Sequence, residues 1–155
     1  YNPGGELSSI VTTLDYILPE GPIVRIFDAD GNEVKAYYSE ATELLMPMAV
    51  LVNGSTASAA ELFTSAVRDY NKAVIVGTTT YGKGCMQTTI PLSDNSAVSV
   101  TYRMYNPPFS DNYHGVGIVP DVEVELDESL AGKNIYKITD EEDNQLAAAV
   151  KSLDN

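Results

Sequence analysis

Two short apolar runs constrain this chain more than any other feature: "MAVLVN" at 48–53 and "KAVIVGT" at 72–78. Each has the length of a strand and is apolar at almost every position, the pattern of a parallel strand buried on both faces. Parallel neighbours need a crossover of a dozen or more residues, usually a helix. The segment between them supplies one, because Leu62, Phe63, Ala66, Val67 and Tyr70 recur at helical spacing over 58–70. A β-α-β unit is therefore expected at the centre of the chain.

The flanks read as additions to that unit. Asn2-Pro3-Gly4-Gly5 is a turn cluster ahead of an amphipathic helix at about 6–18, which Pro19 and Gly21 stop. "PIVRIF" and "EVKAYY" read as two strands of a hairpin turning at Asp30-Gly31, followed by a loop at 39–47. In "SAVSVTYRMY" the period is two, with Val98, Val100, Tyr102 and Met104 on one side, which predicts an antiparallel strand with that side covered. "VEVEL" reads as a short strand, and Thr139 to Glu142 has capping-box spacing ahead of a last helix ending near Leu153. With no internal repeat and no long linker, residues 1–155 read as one α/β domain. The opening turn has no strand before it, so the chain is expected to be a piece of something longer.

Charge and cysteine content exclude several functions. A net charge of −13 opposes binding to nucleic acid or to an anionic membrane surface, both of which need a basic face. No apolar run approaches a membrane span, so no membrane contact by this segment is expected. One Cys and one His leave no metal-binding cluster, and neither a metal nor another cofactor is expected.

The chemistry concentrates at the junction "NGSTASAAE", where Ser55, Thr56 and Ser58 stand between the first apolar run and the helix. Ser and Thr are favoured helix caps, so such a junction can be purely structural. A serine nucleophile needs a base for its proton, and a helix start offers unpaired N–H groups for a developing oxyanion. The N–H of Ala59 is placed for that task. Two bases are conceivable: His114, in the loop "NYHGVG", and Lys83, in "YGKGCMQ" just after the second apolar run. A loop histidine is more often a surface residue, and a lysine between glycines is often a solvated turn. Lys83, however, should lie near Ser58, because the strands that flank a crossover helix are close neighbours. A phosphate loop is excluded, since the G-x-x-x-x-G-K-[ST] frame is missing.

These stretches resemble the C-terminal processing (tail-specific) proteases, serine peptidase family S41, whose motifs read approximately S-A-S-A-S-E and T-F-G-K-G-x-V-Q. Thr56-Ala57-Ser58-Ala59-Ala60-Glu61 matches the first, with Thr56 and Ala60 in place of serines. Thr80 to Gln87 matches the second, with Tyr81 for Phe and Met86 for Val. The resemblance implies a crotonase/ClpP-like α/β spiral fold with a β-α-β core and added antiparallel strands. It aligns Ser58 with the nucleophile, Lys83 with the general base and Gln87 with the glutamine that orients that lysine. It aligns Gly4 or Gly5, with Ala59, to the oxyanion hole. Family members usually carry an N-terminal helical region and a PDZ domain, neither of which is in this sequence. The resemblance further implies a protein or peptide substrate and an extracytoplasmic setting; a chain starting in the turn is expected to show little or no peptidase activity alone and some tendency to self-associate.

Two other readings are weighed: a catalytically inactive binding or scaffold module of the same fold, and crotonase-type acyl-CoA chemistry, which has no use for a Ser/Lys pair. The remaining features lean structural. Glu61 reads as a partner of the helix dipole, Cys85 as a small apolar neighbour, and the "TDEED" run as a solvated helix start.

Overall fold

In the computed structural model, which describes residues 1–40 and 42–154, the central unit forms where the spacing puts it. Strand β3 (Ala49–Val52) runs into helix α2 (Ala59–Asp69), and β4 (Val74–Gly77) returns beside β3 in parallel, pairing Ala49 with Val74 and Val52 with Gly77. The helix buries Leu62, Ala66 and Val67 at one-turn spacing, so its apolar stripe faces the sheet and core.

A second, antiparallel sheet of order β2-β1-β6-β5 closes the other side. It comprises β1 (Gly21–Phe27), β2 (Glu33–Ser39), β5 (Cys85–Pro91) and β6 (Ala97–Asn106). Asp28 builds the β1–β2 turn by accepting hydrogen bonds from the N–H groups of Asp30 and Asn32. Between the sheets, Leu14 of helix α1 (Leu7–Asp15), Leu18, Ile23, Ile26, Leu62 and Ile75 form a core with Tyr105, Tyr113 and Ile118. Among the described residues, no helix is long and apolar enough to cross a membrane.

Four expectations are corrected. The first apolar run is not buried on both faces: Leu51 is 43% exposed, and β3 is the edge strand of a sheet in which β7 (Val122–Glu123) pairs with the far side of β4. The stripe Val98, Val100 and Tyr102 is exposed, and the inward residue is Tyr105 from the opposite set. The reason is reach. Only the Met104–Asn106 end of β6 pairs with β1, and the β5–β6 ribbon extends past the core from there.

The last helix, α3 (Asn144–Ser152), starts after the anticipated box. Thr139 does donate to Glu142 Oε2 at 3.1 Å, but that bond closes a turn, and Asp143 caps the helix through the N–H groups of Gln145 and Leu146. Finally, β2 takes in Ser39, so the following loop starts later; its position 41 lies outside the described residues.

These burial differences set a stability contrast. Leu62→Ala, in the sealed core, should cost about 2–5 kcal/mol. Val98→Thr, on the exposed ribbon, should stay within about 0.5 kcal/mol of wild type. Urea midpoints at constant slope measure both.

Candidate active site

The junction after β3 is built by a turn. Asn53 O accepts from Thr56 N at 2.8 Å, Asn53 Oδ1 from Ser55 N at 2.9 Å, and buried Thr56 Oγ1 from Asn53 N at 3.0 Å. The Thr56 hydroxyl is thereby absorbed into the turn, to which Ser55 contributes only its backbone N–H. Ser58, at the N-cap of α2, differs: its backbone sits at φ 58°, ψ −122°, a left-handed conformation for a residue with a Cβ. Such a conformation costs roughly 1–3 kcal/mol and persists only where the surroundings over-determine it.

What over-determines it is Glu61. This residue is fully buried, and its carboxylate accepts four hydrogen bonds: Ser58 N at 2.9 Å, Thr80 Oγ1 at 2.5 Å, Gly82 N at 2.6 Å and Lys83 N at 2.8 Å. The first three-residue reach back to Ser58 is half of a capping box. The other three bonds cross to the loop after β4. Thr80 Oγ1 in turn accepts from Ile118 N at 2.8 Å, so one buried acid joins the helix start, the lysine loop and the 113–118 segment. A second bridge runs from Tyr81 N to Thr56 O at 3.0 Å. The sequence reading of Glu61 as a dipole partner holds only a small part of this.

The two loops open into one cleft of about 240 Å³, lined by Gly5, Ser58, Ala59, Lys83 and Gln87 together with Leu7, Leu62, Cys85, Met86 and Tyr105. Five of the six candidate residues thus face a common space. The sixth, Gly4, packs directly behind it. At φ 85° a side chain is disfavoured there, and a Cβ would lie 2.4 Å from Ala57 O and 2.7 Å from Ala59 N. Ala59, as the first helical residue, has no intrahelical acceptor for its N–H.

Gln87 lies on strand β5; it is exposed, and its Nε2 donates to Thr101 Oγ1 at 3.4 Å. Cys85 is buried in the cleft wall, and His114 is exposed and does not line the cleft. Among the described residues, no three His, Cys, Asp or Glu side chains come together as a metal site.

Three residues at the site were not singled out from the sequence. Tyr105 Oη donates to Lys83 O at 2.6 Å. Asn112 Nδ2 donates to Gly84 O at 2.8 Å and to Tyr105 O at 2.7 Å. Tyr113 Oη donates to Ser58 O at 3.5 Å. Burial pushes the Tyr105 and Tyr113 phenols above the ordinary tyrosine range, so both, protonated at neutral pH like any tyrosine, remain donors further into the alkaline range. Tyr105 stood on the polar side of a strand pattern and Asn112 in an irregular loop, so neither carried a local signal.

Comparison with known proteins yields one family. The model of peptidase family S41 matches residues 1–124. A carboxy-terminal-processing protease of Bartonella bacilliformis is 37% identical over 138 residues, covering 86% of this chain and 32% of its own length. A chloroplastic C-terminal processing peptidase of Tetradesmus obliquus is 34% identical over 125 residues, covering 80% of this chain and 27% of its own. The chain thus spans about a third of the length of these relatives. Among solved structures, a photosystem II D1 C-terminal processing protease superposes with a TM-score of 0.71 at 34% identity, over 80% of this chain and 32% of that one.

Replacing the carboxylate tests the clamp. Glu61→Gln keeps the shape but turns an amide NH₂ toward donors that need an acceptor. It should cost about 1–3 kcal/mol or more, read by denaturant unfolding. Hydrogen exchange at the Gly82 and Lys83 amides should accelerate with it.

Proposed function

Because the chain belongs to peptidase family S41, we propose that it carries the Ser-Lys dyad of a serine endopeptidase that cleaves protein substrates near their C-termini outside the cytoplasm. The observation that carries this reading is the common cleft: Ser58 and Lys83 line one space, and a single buried carboxylate holds both of their loops. Two polar side chains, Lys83 and Gln87, stand there beside a hydroxyl on a left-handed backbone, with apolar walls from Leu7, Leu62 and Met86.

The steps follow from those groups. A neutral Lys83 amine takes the hydroxyl proton as Ser58 Oγ bonds to the scissile carbonyl carbon. The oxyanion that forms accepts from Ala59 N–H and from a backbone N–H of the glycine pair, of which Gly5 faces the cleft and Gly4 packs behind. The protonated lysine then gives its proton to the leaving amine as the C–N bond breaks, which leaves an ester on Ser58. Water, losing a proton to the same amine, hydrolyses that ester and restores the serine. Gln87 orients the amine without adding charge, exchanging its long bond to Thr101 for one to Lys83.

Variants of the full-length protein assayed on a peptide substrate test the dyad. Ser58→Ala should lower kcat/KM by at least about a thousandfold and abolish labelling by a serine-directed phosphonate. Lys83→Arg should be as inactive as Lys83→Ala, because a guanidinium stays protonated. His114→Ala should turn over normally. Near-normal activity in Lys83→Arg, or loss in His114→Ala, would assign the base elsewhere. EDTA should leave the rate unchanged, and inhibition reversed by added zinc would point to another chemistry.

A further inference from the structure

Lys83 lies between Gly82 and Gly84, the two residues least able to fix its backbone. Its direction is nevertheless set from both sides. The N–H of Lys83 belongs to the peptide ahead of its Cα and donates to Glu61 Oε2 at 2.8 Å. The carbonyl belongs to the peptide behind and accepts from Tyr105 Oη at 2.6 Å. One bond fixes rotation on the φ side, the other on the ψ side, and the Cα–Cβ direction follows from the two together.

Tyr105 is itself held. It is 5% exposed, faces the cleft from the inner end of β6, and pairs across the sheet with Ile26. Its ring meets that of Tyr113 edge-on, with centroids 6.1 Å apart at 75°. Tyr113 Oη donates, more weakly, to Ser58 O at 3.5 Å. Buried phenols need acceptors, and any nearby carbonyl would serve. Here the two rings, packed against each other, take the carbonyls of Lys83 and Ser58.

We propose that Tyr105 is a positioning residue for the cleft chemistry: with Tyr113 as its brace, its hydroxyl sets the direction in which Lys83 leaves the loop and hence its approach to Ser58. The proposal rests on the Ser58–Lys83 reading above. A hydroxyl with this role acts on the chemical step, since a displacement of about 1 Å in a reacting group can cost on the order of a hundredfold in rate. It should leave peptide binding nearly untouched.

The test uses the full-length protein with Tyr105→Phe, which keeps the ring and removes the donor. Expected are a fall in kcat of about 10- to 100-fold, a KM within about twofold of wild type, and an equal fall in the rate of labelling by a small serine-directed phosphonate, all at a full folded fraction by melting. Tyr113→Phe, losing the longer bond, should fall by only about threefold. para-Fluorophenylalanine at position 105 fills the hydroxyl's volume without donating, and it serves if the phenylalanine variant does not fold. A kcat within about twofold of wild type, a loss confined to KM, or a loss that merely follows the unfolded fraction overturns the proposal. Lys83→Ala separates the two layers. If it is inactive while Tyr105→Phe is normal, only the role of Tyr105 falls; if Lys83→Ala turns over substrate, the dyad and the proposal built on it both fall.

Discussion

The buried carboxylate of Glu61 is the interaction on which the rest of this site depends. Placing an acid in a fully buried position is expensive unless its lone pairs are satisfied. Here three backbone N–H groups and one hydroxyl satisfy them, one from the helix start and three from the loop after β4. The carboxylate therefore acts as the common origin from which the helix start and the lysine loop are both measured. No cation among the described residues pairs with it; backbone dipoles do the compensating, and they have fixed positions where a lysine or arginine side chain would not.

The two sheets put this origin where ligands are ordinarily met in open α/β folds, beyond the carboxyl ends of parallel strands. β3 delivers the serine and β4 the lysine, and the antiparallel sheet supplies a wall through β5 and β6. The division of labour is clear in the burial. In the parallel unit β4 is buried at Ile75 and Val76, while β3 keeps Leu51 exposed at the edge. The outer ribbon carries its apolar residues in the open, as far as residue 102.

What could be read in advance follows the range of each interaction. The crossover unit was legible because its strands, helix and turn are each specified within a few residues. The meeting of the Ser58 and Lys83 loops at one cleft was legible through two dense motifs. Exposure of Val98 and Val100 was not, since alternation looks the same whether or not a layer lies over it. The start of α3 was misplaced because Thr139 and Asp143 both have capping chemistry, and only the geometry of the turn decides between them. Glu61 showed its local bond and hid the three that reach 19 to 22 positions ahead. Tyr105 reaches Lys83 O and Asn112 reaches Gly84 O, each across more than 20 positions.

The left-handed backbone at Ser58 has a consequence for how such a chain can change over time. Glycine is at ease at φ 58°, whereas serine is held there under strain of roughly 1–3 kcal/mol. Exchanging the serine for glycine would relieve part of that strain while removing the hydroxyl, so at this position the fold gains from what the chemistry loses. Descendants in which the hydroxyl has no task would drift toward glycine at this bend. A serine at this bend therefore stands against the local preference of its backbone.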